Sequence, residues 1–151
     1  VLKRRKPLII NDLLPHIEEH AASGPPISSA KSRVILEVAM ENEQLEITPV
    51  DLKRRMDAGE PIVLIDVREP AEHALARVAG AELIPMNSIP AHLERLEAEA
   101  EESLVVAFCH HGVRSLNVVA WLRAQGVSNA VSLTGGIDRW ATEIDQLIPH
   151  Y

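Results

Sequence analysis

Apolar residues gather along this chain in short runs separated by longer amphipathic stretches. IVLIDV (62–67) and LVVAF (104–108) are continuous, rich in Val and Ile, and too short for helices. Such runs suit strands buried on both faces of a sheet. AVSL (130–133) predicts another strand, after which Gly135-Gly136 turns the chain, and ELIP (82–85) predicts a short one. Helical patterns lie between them. Thr48 can cap a helix through PVDLKRRMDAG, with Pro49 at its first position and Gly59 just past its end. PAEHALA carries a short helix signal. PAHLERLEAEAEE predicts a charged helix that turns Leu93 and Leu96 inward and ends in a solvated acidic run. VRSLNVVAWLRAQG predicts a helix with Leu116, Val119, Ala120 and Leu122 near one face, and GIDRWATEI predicts the last helix. Strands alternating with helices argue for a parallel sheet covered on both sides.

The pattern upstream is different. Asn11 or Asp12 can cap a helix over NDLLPHIEEHAA, with Pro15 in its first turn. SGPPISS reads as a loop. AKSRVILEVAMEN then has a helical stripe of Val34, Ile35, Val38 and Ala39, ending near Asn42. Two segments are therefore expected: a mainly helical N-terminal extension, 1–46, and an α/β domain, 47–151. Three roles stand open for the extension: covering a sheet edge, pairing two subunits as a homodimer, or being the remnant of a larger fused chain. Val34, Ile35 and Val38 are expected to pack it on the α/β domain.

Composition narrows the function classes. The 151 residues are 46% hydrophobic and 25% charged, a soluble globular balance. Only 3% are aromatic, so the core must be mostly Leu, Ile, Val and Ala. A net charge of -7 argues against nucleic acid as a partner, and the KRRK run at Lys3 to Lys6 reads as a solvated stretch. No apolar stretch is long enough to span a bilayer, so no membrane is expected as a partner. The basic residues near the start precede only LII, too short for a secretory signal. A single cysteine excludes an internal disulfide and suits a reducing compartment, so a cytoplasmic location is expected.

That cysteine, Cys109, stands in FCHHGVRSLN, at the carboxyl end of a predicted strand and before a predicted helix. Ligands of open parallel sheets bind outside such strand ends. Free amides and the dipole at the helix start form an anion site, and the same field favours thiolate over thiol. Gly112 lets the loop bend so that several amides converge. Arg114 adds a planar, permanently charged donor. Ser115 can cap the helix or donate to a bound anion. A buried, inert cysteine is the alternative, but it needs neither this glycine nor this arginine nor an immediate helix start. The residues read as a site that holds an anion against sulfur.

Residues 47–151 resemble a single-domain rhodanese, a member of a sulfurtransferase family. CHHGVRS resembles the family's loop Cys-x-x-Gly-x-Arg-Ser. IDVREPAEH resembles its Asp-Val-Arg strand motif, which a carboxylate follows. RVAGAELIP resembles His-Ile-x-Gly-Ala-x-x-Ile-Pro, with Arg77 where many members carry His, and SLTGGIDRW resembles the closing Gly-Gly-x-x-x-Trp. The resemblance implies a three-layer α/β/α fold around a central parallel sheet. It implies that Cys109 is a nucleophile attacking the outer sulfur of a small donor such as thiosulfate, and that a persulfide forms. Amides from His110, His111, Gly112, Val113, Arg114 and Ser115 would cradle its terminal sulfur, and Arg114 would help bind the donor. A thiol or a protein cysteine would be the acceptor. Asp66 and Arg68 would order the loop, or else form only a structural ion pair. Neither a metal nor an organic cofactor is implied. A phosphatase family of the same fold is known for five residues between its Cys and Arg; here four, HHGV, intervene, and the shorter loop favours sulfur over phosphate. Two other readings keep the fold: a non-catalytic binding or sensor module, and a persulfide relay to a partner protein.

The remaining candidates are weaker. Adjacent His110 and His111 fit zinc poorly, because zinc sites use spaced ligands; they are read as setting access or tuning the thiolate. HIEEH (16–20) matches an inverted metalloprotease motif by five residues but has no evident third ligand. Trp121 and Trp140 are expected in or near the core. Gly135-Gly136 reads as a turn and as part of the active-site rim. The final His150-Tyr151 reads as a terminus rather than a site.

Overall fold

The runs IVLIDV and LVVAF become neighbouring central strands. The computed structural model describes residues 44–151. In it β1 (Glu46–Ile47), β2 (Ile62–Asp66), β3 (Glu82–Leu83), β4 (Leu104–Phe108) and β5 (Val131–Leu133) form one sheet in the order β1-β5-β4-β2-β3. Every pairing is parallel. Parallel neighbours need crossover connections rather than tight turns. These are α1 (Pro49–Asp57), α2 (Pro70–Leu75), a 3-10 helix (Met86–His92) that runs into α3 (Leu93–Glu99), and α4 (Val113–Ala124); α5 (Gly136–Glu143) follows β5. The expectations for KRRK, NDLLPHIEEHAA, HIEEH, the Val34–Ile35–Val38 stripe and a homodimer through the extension rest on residues outside the described ones. No helix among the described residues is long and apolar enough to cross a membrane.

Side-chain parity divides the core in two. Leu64, Val106, Phe108 and Leu133 face one side and pack with Leu52 of α1 and Ile137 and Trp140 of α5. Ile65, Val105, Ala107 and Cys109 face the other, against Ile89, Leu96 of α3 and Val118, Val119 and Leu122 of α4. This gives the three layers. Each fully buried Leu or Ile contributes about 1.5–3 kcal/mol. Thr48 caps α1 as predicted, its Oγ1 accepting the Asp51 N–H at 3.1 Å.

Two helices depart from their predicted form. Residues 90–92 lie in the 3-10 turn, and the α-helix starts only at Leu93; Pro90 has no amide to give. The buried face of α4 is Ser115, Val118, Val119 and Leu122, not Leu116, Val119, Ala120 and Leu122. Ala120 is exposed and Leu116 only half-buried. The face is rotated because a serine takes its first place. Ser115 Oγ lies 2.8 Å from Ser132 Oγ, so this hydroxyl is buried with a partner.

Candidate active site

Alternation along β4 sends Cys109 toward the start of α4, where it is 2% exposed. The chain then reverses through Gly112, whose φ of +103° is a left-handed value that favours glycine. The Gly112 N–H donates to Cys109 Sγ at 3.1 Å, and Ser115 Oγ lies 3.6 Å from the same sulfur. Burial alone would raise the thiol pKa. The Ser115 hydroxyl and the amides of Ser115, Gly112 and Arg114 outweigh it and hold Cys109 below the usual thiol range.

The start of α5 clamps the loop from its other side. The Ile137 N–H donates to the Cys109 carbonyl at 2.9 Å and the Asp138 N–H to the His110 carbonyl at 3.1 Å. Gly136, at φ +60°, permits this approach: a Cβ there would sit 2.3 Å from the His110 oxygen and 2.4 Å from the Cys109 oxygen. The loop carbonyls are thereby turned away from the sulfur and its amides toward it.

Two arginines stand beside this loop, each held by a carboxylate. Asp66 ends β2 opposite Phe108. Arg68 grips it through Nε at 2.8 Å and a terminal nitrogen at 2.6 Å, and both residues are fully buried. Arg68 also donates to the Ala76 carbonyl at 2.7 Å and to the Tyr151 hydroxyl at 2.6 Å, while His73 Nδ1 is 2.9 Å from Asp66. Arg114 makes a bidentate pair with Glu72, both bonds 2.7 Å. That pairing lowers the Glu72 carboxyl to about 2 and pushes the Arg114 guanidinium up. Tyr151 connects the two pairs. Its hydroxyl lies 3.3 Å from Glu72, and its ring stacks on His110 at 4.2 Å between centroids.

The predicted residues thus come together unequally. Cys109, Gly112 and Ser115 converge on one sulfur. Asp66 and Arg68 lie beneath, in a closed network. Val113 and His111 are exposed on the rim. His110 lies between His111 and Tyr151, and burial, with His111 adding to it, lowers its pKa. Glu72, Tyr151 and Ser132 were not singled out as site residues by sequence. Glu72 sits in the IDVREPAEH motif, three residues after its cap residue Glu69, and in sequence it reads as a helix-start carboxylate. Tyr151, read as a terminus, belongs to the loop's surroundings. Among the described residues, His110, His111 and Asp138 offer metal-ligating atoms within 4.8 Å of one another, although His150 Nδ1 already holds Asp138 at 2.9 Å.

Residues 48–143 match the model of the rhodanese-like domain. The chain belongs to the rhodanese-like family. It is 39% identical over 98 residues to a probable adenylyltransferase/sulfurtransferase, MoeZ, of Mycobacterium tuberculosis, covering 65% of this chain but only 25% of that protein. It therefore spans about a quarter of that relative's length. With a protein named sulfurtransferase from Allochromatium vinosum it shares 34% identity over 96 residues, 64% of this chain and 87% of the other. The crystal structure of a rhodanese-like domain protein from Staphylococcus aureus superposes with a TM-score of 0.58 at 32% identity, over 70% of this chain and 97% of that one.

Proposed function

We propose that this rhodanese-like domain is a sulfurtransferase working through a persulfide on Cys109. The observation that carries the proposal is the sulfur atom itself, buried, facing amide and hydroxyl donors, with its pKa depressed by them. The Cys109 thiolate attacks the outer sulfur of thiosulfate. The S–S bond of the donor breaks, its electron pair leaves with sulfite, and the sulfane sulfur stays on Cys109 as a persulfide anion. The amides of Gly112, Arg114 and Ser115 are oriented to receive that anion, a case of preorganised donors stabilising charge as it forms. A thiophile then attacks the terminal sulfur and restores the thiolate, so the kinetics are ping-pong. Cyanide, leaving as thiocyanate, serves in an assay; a thiol or a protein cysteine serves as the natural acceptor. The exposed Val113 and His111 on the rim suit contact with such a partner.

The test is the mass of the intact protein after thiosulfate treatment. Wild type should gain about 32 Da, one sulfur, and lose it to cyanide or dithiothreitol, whereas Cys109→Ser gains nothing. Absence of the adduct with several sulfane donors would favour a binding or sensor module.

A further inference from the structure

Arg114 was expected to be the cation that binds an anionic donor, yet each terminal nitrogen of its guanidinium gives one N–H to Glu72, whose carboxylate offsets its charge. Arg68, the second arginine beside the loop, is spent on Asp66, Tyr151 and two carbonyls, and it is fully buried. What the loop offers an incoming donor is therefore amide dipoles rather than net positive charge. The Glu72 carboxylate stays ionised throughout the neutral range, and the charge of its partner Arg114 acts on the Cys109 sulfur. A donor reaching that sulfur meets a neutralised arginine with a carboxylate behind it. Thiosulfate brings two negative charges; a persulfide or a thiosulfonate brings one.

We infer that Glu72 determines the charge of the sulfur donor: by occupying Arg114 it sets the site against doubly charged donors and in favour of singly charged ones. The inference rests on the sulfur-transfer reading above and refines its substrate class. The chemistry is balanced for either donor. Thiolate attack transfers the outer sulfur, and the leaving group departs with the electron pair as sulfite from thiosulfate, as a sulfinate from a thiosulfonate, or as a thiolate from a persulfide. Amide dipoles suffice for the single charge that remains on Cys109 after each transfer. A second charge on the leaving group needs a cation, and Glu72 competes for it.

Thiosulfate and benzenethiosulfonate make a matched pair of probes, because each presents an outer sulfur bonded to an oxidised sulfur while their charges differ by one. With cyanide as acceptor, kcat/KM for the donor reports only the first half-reaction. In Glu72→Gln the ratio of kcat/KM for thiosulfate to that for benzenethiosulfonate should rise on the order of tenfold, and less at high salt. The substitution keeps an oxygen to accept the Glu69 N–H, which Glu72 accepts at 3.0 Å. Arg114→Gln should move the same ratio the other way, leaving Glu72 without its partner. A structural prop would lower both donors in parallel. A ratio that stays within about twofold in both variants, with melting temperatures showing them folded, would overturn the inference and leave sulfur transfer intact. Failure of wild type to form the adduct with either donor would overturn sulfur transfer itself.

Discussion

The ends of β2 and β4 lie side by side, yet their polar groups are organised in opposite ways. At the end of β2 every strong group is closed on another: Asp66 on Arg68 and His73, Arg68 on Tyr151 and the Ala76 carbonyl, with Asp66 and Arg68 themselves fully buried. At the end of β4 donors are aimed at a single sulfur and favour its thiolate. The difference separates support from chemistry. A saturated network has nothing left to bind with, and through Tyr151 it touches the loop at His110. An unsaturated ring of amides has little strength of its own, and the amides of α5 hold its carbonyls from the other side.

The largest effect should come from breaking the closed end. Arg68→Met leaves Asp66 buried without its cation and should destabilise the fold by about 3–5 kcal/mol, measured by urea denaturation. Arg114→Met breaks an ion pair of similar geometry, but its side chains are 34% and 22% exposed, and solvent screens such pairs. It should cost about 1 kcal/mol or less. Equal costs for the two would remove the distinction between the strand ends.

Next in size is the clamp from α5. Gly136→Ala combines a left-handed φ with a Cβ driven against the His110 and Cys109 carbonyls. A loss of roughly 2 kcal/mol or more is expected, read as a lowered melting temperature together with slower persulfide formation. Gly59 supplies the control. Its φ of +73° is also left-handed, but a Cβ there meets nothing within 4 Å. Gly59→Ala should cost about 1–2 kcal/mol from backbone strain and leave the rate of persulfide formation unchanged. If both variants slow the reaction equally, the clamp is not what shapes the loop.

How much of this was legible in sequence depends on how far apart the partners lie. The central strands were readable because a buried parallel strand leaves a continuous apolar run, as IVLIDV and LVVAF do. The cysteine loop was readable because its glycine, arginine and serine sit within six residues of Cys109. β1 was not, since two residues carry no periodicity; its identity comes from pairing with β5. Ser115, read as a cap or an anion donor, also takes an inward place on its helix, where its hydroxyl finds partners in the Gly112 carbonyl and in Ser132, 17 residues away. Glu72 is 42 residues from Arg114, and Tyr151 is 83 from Arg68. No local pattern records such pairs, and so Arg114 looked free to bind a donor and Tyr151 looked like an end.

A smaller effect than the clamp's lies at the open end itself. Ser115→Ala removes one donor to the Cys109 sulfur and leaves the Ser132 hydroxyl with one partner fewer, at a cost of about 1 kcal/mol. Its more telling consequence is in pH. In wild type the donors hold the folded thiol below its unfolded value, so the thiolate contributes stability above the unfolded pKa, about 8.5. That contribution fades as pH falls and is gone below the folded pKa. Without Ser115 the folded pKa rises toward the unfolded one. The pH profile of alkylation by iodoacetamide should shift upward, and the gain in stability between the two pKa values should shrink with it. A loss of stability without any shift in the alkylation profile would mean that Ser115 serves packing alone, and that the amides of Gly112 and Arg114 suffice to hold the thiolate.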